Sequence, residues 1–521
     1  MDLFRQAAEK ISAYRDLKEA LKNGLTPVSM TGLSSIHKAQ FIMGLYDEES
    51  RIPVLVISED EASARRFADD INTMCGSEEA FVYPAKDFTF GDVDSVSREY
   101  EHIRLGVLAR IMNHECRYVC ASAEALMQCT IPPEKLSENT QLIEQGGTLD
   151  LVKLSEKLIA AGYTRCETVE GQSQFSIRGS IADIFPVQSK YPVRLEMWDD
   201  EIDSISYFDP ETQRRTEAVD IMEIPPASEV LFESTEAFIE KIKKLSSSVR
   251  GKRTDIVREK LARDIEKLEG GMSVGSIDKY IAIAYDRRCS LFDYLGGTVV
   301  FSEYHNCLDK SRGVFAQYAE DIKILLEEGD LCRGLDGYMT EFHEAAAIAE
   351  KQPCVFMDTF LRSSGDIRFK KLISADAYQS APWGGEMRQL DEDLKSLVDR
   401  KYSVIVMAGS EKTLPIIAED LREYGINCSI ADKDSKLTDG LVLLMTGSVS
   451  SGYDYPSERT ALITQSKAMT AKRRLAKKKK GEEIRSLSDI SEGDPVVHAL
   501  YGIGRFQGIT KIETDGIKKD Y

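Results

Sequence analysis

Hydrophobic positions over the first 128 residues fall into two alternating textures. Short apolar runs, "TPVSM" (26–30), "IPVLVIS" (52–58), "AFVYP" (80–84) and "YVCAS" (118–122), read as strands. Between them, "EDEASARRFADDINTM" (59–74) and "SVSREYEHIRLGVLARIMN" (95–113) have helical spacing. Strands separated by helices predict a parallel, helix-covered sheet. From about 145 to 228 the period changes to two. "SQFSIRGSIADIFPV", "YPVRLEMWDDEIDSISYFD" and "AVDIMEIPP" predict a small antiparallel β domain, led by the helix "TLDLVKLSEKLIAAG". A charged helical stretch (229–290) follows, and "GGTVVFSEYH" (296–305) then returns to a buried strand. The first sheet is therefore expected to be completed after an insertion.

Residues 340–465 predict a second α/β unit. Its strands are "CVFMD", "YSVIVMAG", "CSIAD" and "GLVLLMTGS", with the helix "SEKTLPIIAEDLREYG". "SKAMTAKRRLAKKKKGEEIRS" (466–486) is a block of like charge and reads as a solvated linker. The closing "GDPVVHALYGIGRFQGITKIETDGIKKDY" reads as a small twisted β module with only three or so strands, which predicts a piece of a longer protein. The expected organisation is a lobe at 1–128, an inserted α+β domain at 129–228, completion of the lobe at 229–339, a second α/β domain at 340–465, a basic linker at 466–488 and a truncated β module at 489–521.

Composition narrows the function classes. A length of 521 residues suits about three to four domains. With 42% hydrophobic and 30% charged residues the chain has the make-up of a soluble globular protein, and its scattered cysteines point to the cytoplasm. A net charge of −20 makes it a poor non-specific nucleic-acid binder outside the basic linker. No run of about eighteen apolar residues suggests a membrane span. The ten cysteines are scattered without zinc spacing and read as reduced thiols, so no metal is expected.

"VSMTGLSSIHKAQFI" (28–42) comes close to a phosphate-binding loop. That loop needs a glycine before its lysine, so that backbone amides can curl around phosphate, and a hydroxyl after it for Mg²⁺. Gly32 and Lys38 have the spacing, but His37 replaces the second glycine and Ala39 the hydroxyl residue. A second near-match is "SEYH" after the buried "GGTVVF". Glu303 and His305 fit the D-E-x-H form of helicases, while Ser302 stands where the metal-binding Asp belongs. Both halves are broken at the metal. Gly32, His37, Lys38, Ala39, Ser302, Glu303 and His305 therefore read as a degenerate nucleotide site, with no catalytic residue and no ATP or Mg²⁺ in this part of the chain.

A broken helicase-like lobe interrupted by "IRGSIADIFP" and "RLEMWDDEIDSISYFDPETQR" resembles the nucleotide-excision-repair protein UvrB. The degenerate loop, the following α/β domain, the basic linker and "GDPVVHALYGIGRFQGI" together resemble the transcription-repair coupling factors, the Mfd family, across essentially the whole chain. The last block is the most specific. It looks like that family's RNA-polymerase-interacting domain, a CarD-like, Tudor/SH3-like module. The resemblance implies transcription-coupled nucleotide excision repair. This portion would be a monomeric recruitment platform for UvrA and the RNA polymerase β subunit. The ATP-driven DNA translocase, with most of the DNA contact, would lie downstream. A UvrB-type damage-recognition ATPase is the alternative; it requires an intact loop.

The family's UvrA contacts, carried over on the matching strands, fall on Arg178, Arg194 and Trp198. Period two agrees: Tyr191, Val193, Leu195 and Met197 share one face, expected to be the core, while Arg194, Glu196 and Trp198 point out. Phe175 and Ile177 go inward and Arg178 outward. A tryptophan beside arginine on an outward face has hot-spot composition. The competing reading packs Trp198 under a loop and pairs both arginines with carboxylates. The family's polymerase contact uses an edge strand, matching Ile509, Thr510, Lys511, Ile512 and Glu513 here.

Overall fold

A computed structural model describes residues 3–88, 90, 97–232, 234–270, 272, 274–362 and 367–466, and the backbone of four strands beyond them. Two compact units result, residues 1–467 and 468–521.

The first unit is built on a seven-stranded sheet. Its order is Lys371–Ser374, Val28–Thr31, Cys354–Asp358, Val299–Ser302, Val54–Ser58, Tyr118–Ser122, Ala80–Tyr83. Every neighbouring pair is parallel. The inner strands are buried along their whole length, which is why they read as continuous apolar runs and not as alternation. Completion of the sheet after an insertion holds, since Val299–Ser302 lies beside Val54–Ser58. One expectation fails. "CVFMD" was placed in the second α/β unit, but Cys354–Asp358 pairs with Val28–Thr31 and Val299–Ser302 in the first sheet. Buried parallel strands carry no local mark of the sheet they join; pairing decides it.

The insertion is a six-stranded sheet, antiparallel except for the short Thr164–Arg165 pairing, with helix Leu151–Ala160. Val193, Leu195 and Met197 are buried as expected, but Tyr191 is 44% exposed. It precedes Pro192, and the strand starts only at Val193, so the alternation does not extend back to it.

The chain leaves and re-enters the lobe around a buried charge cluster. Glu229 Oε2 lies 2.7 Å from Lys86 Nζ, and its Oε1 accepts from Arg104 Nε (2.8 Å) and Thr130 Oγ1 (2.7 Å). Its backbone N–H donates to Glu101 Oε1 at 2.7 Å. Asp278 Oδ1 is 3.3 Å from Lys86 Nζ. Burial opposes the Glu229 charge, yet Arg104 and Lys86 outweigh it and hold the carboxyl at about 2.

The second α/β part forms a sheet ordered Tyr378–Ser380, Gly452–Tyr455, Thr460–Thr464, Ser403–Met407, Val442–Met445, Cys428–Ile430. It shares a core with the first lobe: Ile36 and Phe41 join Met407, Tyr453, Tyr455 and Leu462 in one cluster. Polar ties cross the same boundary, from Tyr455 Oη to Gln40 Oε1 (3.1 Å) and from the Ser450 N–H to Asp70 Oδ1 (2.8 Å). The basic linker from residue 467 on lies outside the described residues. In the second unit, Pro495–His498 pairs antiparallel with Gly502–Arg505, and Lys511–Thr514 with Ile517–Asp520.

Removing one member of a fully buried ion network leaves its partners charged and unpaired, at a cost of about 3–5 kcal/mol. Glu229→Ala is expected to lower unfolding stability by that order, read as a shifted urea midpoint with an unchanged denaturant slope.

Candidate functional site

The near-match to a phosphate loop stands at the carboxyl ends of the central strands. Val28–Thr31 is followed by Gly32, and helix Ser35–Met43 begins three residues after that glycine. Gly32 has φ +87°. A Cβ on it would sit 2.3 Å from the Ala375 carbonyl oxygen. Here the glycine admits a neighbouring stretch of its own chain, where a working loop would admit phosphate. His37 takes the third position of a capping box: the Ser34 N–H donates to His37 Nδ1 (3.2 Å), and the Ser34 side chain returns to the His37 backbone. The box consumes a helix-end donor that a phosphate site leaves free. The imidazole is fully buried, 5.1 Å from the Tyr455 ring centroid, and burial lowers its pKa to about 4, so it is neutral.

Lys38 is directed inward. Its side chain is 1% exposed, and Nζ donates to Glu303 Oε1 at 2.6 Å and Ser302 Oγ at 3.3 Å. The same Glu303 oxygen accepts the Thr359 backbone N–H (2.8 Å) and hydroxyl. Burial opposes the Glu303 charge, but the Lys38 ammonium and the hydrogen bonds from Lys38 and Thr359 hold the carboxyl below its usual range. Burial pulls Lys38 down as well, against the pull of Glu303. Asp358, at the end of the strand between Val28–Thr31 and Val299–Ser302, is pushed up by burial and by the Glu303 charge. Ala39 is wholly buried, and His305 is half-buried on the helix after Glu303.

Gly32, His37, Lys38, Ser302 and Glu303 are thus brought to one place. Asp358 and Thr359 were missed, because "CVFMDT" was assigned to the other domain. A buried apolar run ending in Asp and Thr was the available signal. Among the described residues no group of three or more His, Cys, Asp or Glu side chains is arranged to hold a metal ion.

The second candidate surface is the outward face of strand Val193–Trp198. Asp183 and Arg194 stand directly opposite across two strands. Asp183, itself buried, accepts Arg194 Nε (2.7 Å), Arg194 Nη2 (2.9 Å) and Arg178 Nη2 (2.8 Å). The Arg194 guanidinium also lies 4.6 Å from the Phe208 ring centroid. Glu196 pairs with Arg215. Trp198 is 79% exposed beside the Asp199–Asp200 turn. Half of the competing reading is therefore realised: both arginines are carboxylate-paired, but the tryptophan is not packed under a loop. One carboxylate shared by two guanidiniums leaves that spot net positive, on the same outward face as the bare indole four residues further along the strand. That arrangement suits a partner with carboxylates around an apolar pocket.

Of the polymerase candidates, Ile509 and Thr510 lie outside the described residues. Lys511, Ile512 and Glu513 fall on Lys511–Thr514, with Ile512 opposite Lys519.

Lys38→Met strands the Glu303 carboxylate, 22% exposed, with only Thr359 as partner. It should cost about 3 kcal/mol. Adding Glu303→Gln should restore most of that, a coupling read by a double-mutant cycle in urea.

Two stretches match known families: residues 142–230 match the UvrB interaction domain, and residues 490–521 the CarD-like/TRCF RID domain. Over its full length the chain is 28% identical to a transcription-repair-coupling factor of Bacillus subtilis. Over 98% of its length it is 24% identical to that of Staphylococcus aureus strain MRSA252 and 23% to that of Staphylococcus epidermidis. The chain spans less than half the length of these curated relatives, 45% of the first and 44% of the others. The resemblance drawn from the sequence holds: this chain is similar over its whole length to the transcription-repair coupling factors, with stretches that match the UvrB interaction domain and the CarD-like/TRCF RID domain.

Proposed function

We propose that this chain is the recruitment platform of a transcription-coupled repair factor. The domain inserted at 142–230 binds UvrA through Arg178, Arg194 and Trp198. The β module at 490–521, of Tudor-like type, engages the RNA polymerase β subunit through the strand edge containing Ile512. The ATP-driven DNA translocase belongs to the remainder of the full-length protein, which acts as a monomer in the cytoplasm. Among the described residues no helix is long and apolar enough to cross a membrane. The observation that carries this reading is Trp198, 79% exposed on the outward face within the matched domain. An indole left bare on a folded strand, on the same face as two arginines already oriented by Asp183, forms an anchor.

The lobe beneath it is a helicase-like scaffold with a degenerate nucleotide site. Lys38 is neutralised by Glu303, Gly32 is covered by the Ala375 carbonyl, and Ser302 and Ala39 offer no carboxylate or hydroxyl pair to Mg²⁺. These features favour the platform over a UvrB-type ATPase.

Direct binding to UvrA without nucleotide tests the first part. Loss of a central anchor costs about 2 kcal/mol, roughly thirtyfold in Kd. Trp198→Ala should weaken binding by that factor with an unchanged melting temperature. Equal binding by the variant would refute the assignment. Thermal unfolding with Mg-ATP tests the second part. A site with Kd near 50 µM would gain about 2.7 kcal/mol at about 5 mM ligand. The expected shift is none.

A further inference from the structure

Among the described residues six apolar side chains are at least 60% exposed: Val152, Trp198, Phe360, Leu361, Leu372 and Tyr378. Four of the six fall between 360 and 378. This concentration flanks a run, 371–380, that forms the edge of two sheets in succession. Among the described residues, Lys371–Ser374 pairs only with Val28–Thr31, and Tyr378–Ser380 only with Gly452–Tyr455. The run alternates. Ile373 is buried, while Arg368, Lys370, Leu372, Ser374, Asp376 and Tyr378 are exposed.

The backbone is available on the outer side. The Ala375 N–H donates inward to the Thr31 carbonyl (2.9 Å). Peptide groups alternate in direction along a strand, so with the register of Lys371–Ser374 on Val28–Thr31 the amides of Leu372 and Ser374 face the open edge. The charge of this edge is also distinctive. In a chain of net charge −20, Arg368, Lys370 and Lys371 stand together here, and none forms an ion pair among the described residues. The one acidic neighbour on the run, Asp376, accepts from Ser457 Oγ at 3.1 Å.

We propose that this edge takes up an extended acidic segment of a partner protein as an added strand. The outward amides of Leu372 and Ser374 bond its backbone, the Leu372 and Tyr378 side chains hold its apolar side chains, and the three basic residues select its carboxylates. A second copy of the same edge is disfavoured, since pairing it with itself would bring the lysines together.

The test uses the whole chain and two labelled peptides, one alternating valine with glutamate and one alternating valine with lysine, read by fluorescence anisotropy. The valine–glutamate peptide should bind, and its counterpart should not. Leu372→Ser should weaken binding about tenfold or more. Ser374→Pro removes an outward amide but keeps the Ala375 bond to Thr31, and should abolish it. If circular dichroism shows Ser374→Pro unfolded, Lys370→Glu takes its place, with the same loss expected. Trp198→Ala should leave the affinity unchanged, which separates this edge from the UvrA surface. Equal binding of both peptides, no binding of either, or binding indifferent to Leu372→Ser overturns the proposal. So does self-association of the chain that Leu372→Ser removes.

Discussion

The pairing of Lys38 with Glu303 is the contact on which the arrangement of the lobe turns. A buried ammonium is costly without a carboxylate, and a carboxylate at a strand end is costly without donors. Each supplies the other's need, and Thr359 adds two further hydrogen bonds to the same oxygen. The contact joins the carboxyl ends of Val28–Thr31 and Val299–Ser302 across the strand between them. A site that would need an incoming anion is satisfied from within. The lobe is therefore held together by groups of the kind that would otherwise open and close around a ligand.

The second α/β part gains a role from the same geometry. The sequence offered no chemistry for it. In the structure its Tyr453 and Tyr455 lie against His37, and the Ala375 carbonyl, on the segment leading into it, fills the space beside Gly32. Each residue that departs from the phosphate-loop pattern now has a structural task. His37 caps its own helix and packs on tyrosines, Ala39 fills the core, and Ser302 solvates Lys38. A shared apolar core and the buried Asp70–Ser450 contact make the two parts one body. Such a body suits a scaffold better than a hinge.

The inserted domain orders the arginines on its outward face from within. Asp183 is directly across from Arg194 and takes three guanidinium hydrogen bonds, so the arginines are oriented before any partner arrives. The cost of ordering long side chains on binding falls accordingly. Trp198 needs no such support, since the strand and its tight turn already fix where it stands. Carboxylate pairing of the arginines, which had counted against a binding role, is compatible with one.

Local periodicity determined much of this in advance. Continuous apolar runs marked the parallel strands, alternation marked the insertion, and the period placed Arg194, Glu196 and Trp198 outward, because side-chain direction along a strand depends only on residue parity. The substitutions at His37, Ala39 and Ser302 were readable from the chemistry that a metal and a phosphate require. Tyr191 marks the limit: the alternation was extended two residues past the start of the strand. Only the tertiary structure decided which strands are neighbours. Cys354–Asp358 joined the first sheet, bringing Asp358 and Thr359 beside Glu303. Only it decided that Asp183 would serve two arginines, that Ala375 would cover Gly32, and that 371–380 would border two sheets. These are pairings between residues far apart in the chain. Their hydrogen bonds and buried contacts exist only once the sheets have assembled, so no local pattern encodes them.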